Sequence, residues 1–194
     1  MFYVSLASQV WGAQVFLGVI ARDPERGRKV FLFSKHLQWL DYDAMADTAA
    51  AIGFDGIDLT VRPGGHVEPQ RVEQDLPRAV GAIRRAGLVA DRITTAITDP
   101  DDPLTERIVA AAAARDIAIY RLGWLKYDGE RPLPPQIDVY RIRLERLARL
   151  NERYGLHGAY QNHAGTGVGS PVWDAWLLVR ELDPRWLGIR YDVR

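Results

Sequence analysis

The chain has 194 residues, enough for one good hydrophobic core and short of two. Its 25 lysines and arginines balance 25 aspartates and glutamates, so no global field draws nucleic acid or an anionic membrane toward it. Cysteine is absent, which excludes disulfides and thiolate metal sites and leaves histidine, carboxylate or amide oxygen as metal donors.

The opening stretch, MFYVSLASQVWGAQVFLGVI, carries no charge. It reads either as an export signal, with Val19 and Ala21 placed like a cleavage site, or as a leader outside the fold. No positive segment precedes it, and Ser5, Ser8, Gln9 and Gln14 dilute it, which also argues against a membrane span. Export would make the protein periplasmic; otherwise it is cytoplasmic. Residues 1–29 are assigned to this leader and the charged linker RDPERGRK, and residues 30–194 to the folded domain.

From Val30 one pattern repeats. VFLFS is a β-prone run, and DYDAMADTAAAIG is a helix closed by Gly53. GIDLTV is the second strand. VEQDLPRAVGAIRRAG is the second helix, with Pro77 expected to mark its true start. RITTAI, then PLTERIVAAAAARD, form the third pair. IAIYRLGW is the fourth strand, followed by a loop through YDGERPLPP. QIDVYRIRLERLARLNERYG is a long helix with Ile142, Leu147 and Leu150 near one face. HGAYQ, VWDAWLLVREL and WLGIRYDV complete the series as strand, helix and strand.

Strands alternating with helices at spacings of about 25 to 40 residues imply βαβ units and a parallel sheet. Two architectures compete. A self-contained doubly wound module of flavodoxin type is complete with six strands, whereas a β/α barrel needs eight and about 250 residues.

The polar residues favour the barrel. Strand one ends in Ser34, Lys35 and His36. Strand two carries Asp58 and runs into Arg62, Gly64, Gly65 and His66. The fourth passes Arg121 to Trp124 and Lys126. The fifth delivers Gln161, Asn162 and His163, and the sixth Asp192 and Arg194. An open sheet concentrates its site at one crevice, while a barrel gathers contributions all round its rim.

Each residue also has a plain structural reading. Lys35 and His36 suit a solvated loop, Asp58 an ion pair with Arg62, and Gly64-Gly65 a tight turn. Trp39 and Trp124 suit either a wall against a sugar face or core packing, and His157 is read as structural. Three adjacent large polar side chains, Gln161, Asn162 and His163, are hardest to explain without a cavity. GTGVG lacks the dinucleotide-binding spacing, no phosphate-binding Walker loop occurs, and neither Ser34 nor Ser170 has a nucleophile context.

The segments FSKHLQWLDYDAMADTAAAIGFDGIDLTVRPGGHV, YQNHAGTGVGSPVWD and DPRWLGIRYDVR resemble the sugar phosphate isomerase/epimerase family of xylose isomerase-like TIM barrels. The resemblance implies a (β/α) barrel, here incomplete at about six of eight βα units, and a fragment of a longer enzyme. It implies a divalent metal, Mn or Mg, polarising a sugar carbonyl while acid/base groups move a proton through an enediol-like intermediate. Position by position, Gln161 stands where the family places a metal-binding glutamate, and Asp192 at its strand-six metal carboxylate. His66 matches the strand-two loop histidine, and Asn162 and His163 match neighbouring site residues.

The expected catalytic residues are therefore His163 and His66, and the expected metal ligands Gln161 and Asp192. Substrate contacts are expected from Lys35, His36, Asp58, Arg62, His66, Trp124, Asn162 and His163. Two departures stand out. A glutamine cannot serve as a general base, and the histidine and glutamate that the family draws from strands seven and eight have no counterparts, which weakens the metal site. The expected partner is a small sugar or sugar phosphate, with no nucleic acid and no membrane. Unpaired edges on strands one and six allow a homo-oligomer. The rival functional reading is a non-catalytic carbohydrate-binding protein on the same barrel. A repair endonuclease of the same superfamily would need more zinc ligands and a basic groove.

Overall fold

The computed structural model describes residues 27–192. The expected export signal, most of the linker and Arg194 lie outside the described residues.

Local chemistry sets most boundaries. Strand β1 (Phe31–Phe33) leads to helix α1 (Tyr42–Ile52). Asp41 caps that helix by accepting a bond from the Ala44 amide at 2.8 Å, and Gly53 ends it at φ 101°, a conformation that costs glycine little. β2 (Gly56–Val61), α2 (Val72–Arg85) and β3 (Val89–Thr95) follow. Next come α3 (Pro103–Ala113), β4 (Ile119–Arg121) and α4 (Leu133–Tyr154). β5 (His157–Gln161), α5 (Val172–Val179) and β6 (Leu187–Arg190) complete the described chain.

Three local expectations are corrected. Helix α2 does not start at Pro77 but runs through it from Val72. Proline there removes one bond to the carbonyl of Glu73, an exposed residue. Helix α4 begins at Leu133, with Pro134 and Pro135 in its first turn, where the missing amides have no intrahelical partner to lose. Ile142 is 56% exposed, and the buried stripe of α4 is instead Leu144, Leu147 and Leu150.

All six strands are parallel and lie in the order β1-β2-β3-β4-β5-β6. A doubly wound sheet reverses its strand order at a switch point. Unbroken sequential order excludes that rival and is the winding of a β/α barrel. Asp58 on β2 meets Arg190 on β6 at 2.6 Å. Across a flat sheet those strands stand four spacings apart, about 19 Å, further than the two side chains reach together. The sheet is therefore curled, and its strand ends share one rim.

Alternation along each strand splits the residues into two sets. Ile57, Leu59 and Val61 are fully buried with Met45, Ala49, Leu76 and Ile83 of the flanking helices. Burying each large apolar side chain contributes roughly 1.5–3 kcal/mol. The other set, Asp58, Thr60, Thr94 and Arg121, is polar and equally buried. Such a polar lining suits a ligand site better than a packed barrel core. Asn151 of α4 accepts from the Tyr120 hydroxyl at 2.9 Å and donates to the Trp186 carbonyl at 2.9 Å, tying the helix to β4 and the approach to β6. No helix among the described residues is long and apolar enough to cross a membrane.

Candidate functional site

The rim chemistry starts at Asp58, 2% exposed. Its carboxylate accepts from the Thr94 hydroxyl at 2.8 Å and from Arg190 at 2.6 Å. Register explains the first contact: Asp58 and Thr94 belong to the paired strands β2 and β3, where Thr60 lies beside Thr94. The expected partner of Asp58, Arg62, lies instead over the Phe33 ring, its guanidinium carbon 5.6 Å from the centroid.

Above this layer β5 and β6 end side by side, with Gln161 paired to Arg190 in register. The Gln161 amide donates to the Asp192 carboxylate at 2.8 Å. Asn162 donates to the Asp192 carbonyl at 2.9 Å and accepts from its amide at 2.7 Å. His163 packs at a tilt on Trp124 with ring centroids 4.7 Å apart. The run of two amides and an imidazole thus holds Asp192 by side chain and backbone, then builds an aromatic wall.

A cavity of about 270 Å³ opens over these groups. Seven predicted site residues line it: Lys35, His36, Arg62, Trp124, Gln161, His163 and Asp192. Asp58 lies beneath, linked to the cavity through Arg190 and Thr94. Asn162 spends both polar side-chain atoms on the Asp192 backbone, a positioning contact in place of the expected substrate contact. Trp39, 76% exposed, forms neither a wall nor core.

His66 does not line the cavity. Its Nδ1 lies 3.2 Å from the Ser34 hydroxyl and 3.4 Å from that of Thr60, so it joins the ends of β1 and β2. Its Nε2 is buried with no hydrogen-bond partner among the described residues. Burial pushes the imidazole below its ordinary pKa, partly offset by the Leu37 and Leu40 carbonyls. Gly64 and Gly65 serve the turn that delivers it: Gly64 sits at φ 64°, and the Gly65 amide bonds the Arg62 carbonyl at 2.8 Å. His157, at the opposite end of β5, bonds the Arg185 carbonyl at 3.2 Å, which fits its structural reading.

Sequence reasoning missed Arg190 and named Arg121 only as a strand-end residue, without a substrate role; both line the same cavity with Phe33 and Thr94. A signal existed for both: each ends a short apolar strand with a charge, IYR and LGIR. Arg121 is 4% exposed, and burial lowers its pKa to about 10, with Arg62 acting in the same direction and Asp58 opposing. Gly123 lets β4 exit closely past β3, since a Cβ there would meet the Ala96 carbonyl oxygen at 2.6 Å.

The donors do not fit the divalent cation that the family resemblance implies. Among the described residues no three or more His, Cys, Asp or Glu side chains converge. Gln161 turns an N–H toward Asp192, and the guanidiniums of Arg121 and Arg190 share the space. Mg binds through one or two carboxylates with water completing its shell, and two guanidiniums beside the single carboxylate Asp192 repel a divalent cation.

No family model matches the sequence, and no curated protein matches it. Solved structures do match. A candidate xylose isomerase of Rhodospirillum rubrum is 18% identical with a TM-score of 0.66, over 85% of this chain and 65% of that one. The fold is that of the xylose isomerase-like TIM barrels. A D-psicose 3-epimerase crystallised in the presence of D-fructose is 12% identical, TM-score 0.62, over 85% and 63%. A candidate 3-DHS dehydratase of Bacillus anthracis, involved in petrobactin synthesis, is 17% identical, TM-score 0.66, over 85% and 63%. The chain spans 55–65% of the length of these solved structures.

Proposed function

We propose that this chain is a sugar isomerase- or epimerase-type enzyme, or the larger part of one, that moves a proton next to a sugar carbonyl. The observation that carries the reading is the meeting of one carboxylate, Asp192, with the guanidiniums of Arg121 and Arg190 in one small cavity. Those are the parts an enolisation needs. Asp192 accepts the proton from the carbon beside the carbonyl. Arg190 faces the oxygen on which negative charge grows and stabilises it in a partly dry site, with the charge of Arg121 adding to the field. His163, held against Trp124 at the rim, is placed to return a proton, and Lys35 and His36 contact hydroxyls. No step is assigned to a metal.

A D-psicose 3-epimerase crystallised in the presence of D-fructose shares this fold, which supports the substrate class. Incubation with ketoses in deuterated water, followed by NMR, tests the reading. Exchange at the carbon next to the carbonyl, abolished in Asp192→Asn, is the expected result; no exchange with any ketose or keto-sugar overturns it. Gln161, an amide where the resemblance implies a carboxylate, favours the second reading, a carbohydrate-binding protein. Saturable sugar binding without exchange is its signature.

A further inference from the structure

The cavity floor holds a cation that the protein leaves unmatched. Arg121 Nη1 is buried and has no hydrogen-bond partner among the described residues. Its Nη2 makes one long contact, 3.4 Å, to the Thr95 carbonyl. Its other neighbour is the face of Trp124, 4.7 Å from the guanidinium carbon. The nearby carboxylates are engaged elsewhere: Asp58 by Arg190 and Thr94, and Asp192 by Gln161. Lys35, Arg62, Arg121 and Arg190 line the cavity with Asp192 alone against them. Counting Asp58 beneath still leaves four positive charges against two negative.

Burying a guanidinium with no carboxylate hydrogen-bonded to it is costly. In return the fold gains only a ring face, one long hydrogen bond and the field that Arg121 shares with Asp58. A ligand does gain, because guanidinium presents a planar fork of donors matched to the two oxygens of a carboxylate or phosphate. We infer that the substrate carries an oxyanion, a carboxylate or a phosphate group, which seats on Arg121 with Arg62 beside it and leaves Arg190 to the enolate oxygen. The inference rests on the proposed sugar-enolising site and narrows its substrate from sugars at large to anionic ones.

Calorimetric titration of the full chain with fructose 6-phosphate, gluconate, D-fructose and inorganic phosphate tests it. At least one of the two anionic sugars binds about ten- to a hundredfold tighter than D-fructose; which one identifies phosphate or carboxylate as the source. Inorganic phosphate competes with it. Arg121→Met loses the anion preference yet unfolds at the same or higher temperature in anion-free buffer, because a buried unpaired charge has gone. A structural arginine would behave oppositely. Equal affinity for D-fructose and both anions, or an Arg121→Met variant that is less stable without anions, overturns the inference. Should that variant fail to fold, it counts against it, and the wild-type titration decides independently. Tight anion binding without deuterium exchange would sink the enolisation reading alone; exchange on neutral ketoses unaffected by phosphate would sink this one alone.

Discussion

Asn162 and Asp192 are joined by two opposed hydrogen bonds, side-chain amide to backbone carbonyl at 2.9 Å and backbone amide to side-chain oxygen at 2.7 Å. The pair lies just beyond the last register pair of the β5–β6 ladder, Gln161 with Arg190. Asp192 is therefore held by its neighbour strand through both its side chain and its backbone. Asn162→Ala removes both bonds at a half-buried position and should cost about 1–3 kcal/mol, read as a lower urea midpoint. Deuterium exchange on a productive substrate should fall with it, since the carboxylate loses its fixed direction. Asn162→Asp keeps only the accepting half and adds a like charge beside Asp192. It should be no better than alanine.

The ion pair between Asp58 and Arg190 joins a 3% exposed carboxylate side chain to a 44% exposed guanidinium. Removing one partner is not equivalent to removing the other. Arg190→Gln leaves Asp58 with Thr94 and with the positive field of Arg121, and should cost about 1–2 kcal/mol. Asp58→Asn leaves Arg121 buried with no carboxylate beneath it and should cost about 3–5 kcal/mol. Chemical denaturation of both variants checks the order. An Arg190→Gln variant less stable than Asp58→Asn would contradict it.

Much of the architecture was legible because the signals are local. The βα alternation, the cap at Asp41, the stop at Gly53 and the strands GIDLTV and HGAYQ depend on residues within one turn or one pleat. The curl was legible only indirectly, through polar residues loaded at successive strand ends. What sequence reading missed involves partners distant along the chain. Arg190 finds Asp58 across 132 positions, and nothing in LGIR names that partner. Gln136 illustrates the same limit. It lies in the first turn of α4, yet its amide ties the carbonyls of Asp128, Arg131 and Pro132 at 2.9, 2.9 and 3.2 Å, closing a loop that looked merely polar. His66 was assigned to catalysis by the family resemblance, whereas Gly64 and Gly65 close a turn that tucks it onto Ser34 and Thr60.

His66 makes stability depend on pH. Burial lowers its folded pKa below the ordinary value of 6.5, so the unfolded chain takes up the proton first. Unfolding free energy then rises with pH wherever the unfolded state binds more protons. This contribution is fully present above about pH 6.5. It is lost as pH falls from there through the lowered folded value. His66→Asn, which keeps a donor and acceptor for Ser34 and Thr60 but does not titrate, should flatten the slope of stability below about pH 6.5. Thermal melts across that range provide the check; an unchanged slope would assign the dependence elsewhere.

Gln161 decides between the cation that the family resemblance implies and the oxyanion that Arg121 favours. At present its amide neutralises nothing and donates one bond to Asp192. Gln161→Glu would set two carboxylates at hydrogen-bonding distance. Like charges that close raise one carboxylate's pKa and destabilise the fold at neutral pH. A divalent cation relieves that repulsion by binding both oxygens. The variant should therefore melt lower than the parent in chelator and recover on adding Mn or Mg at millimolar concentration. The parent, with one carboxylate and two guanidiniums in the same space, should show no such gain. If the parent itself were stabilised by the metal, the argument from its donor set would fail. If the variant gained nothing, Arg121 and Arg190 would outweigh even a paired carboxylate, and the cavity would be an anion site whatever residue stands at 161.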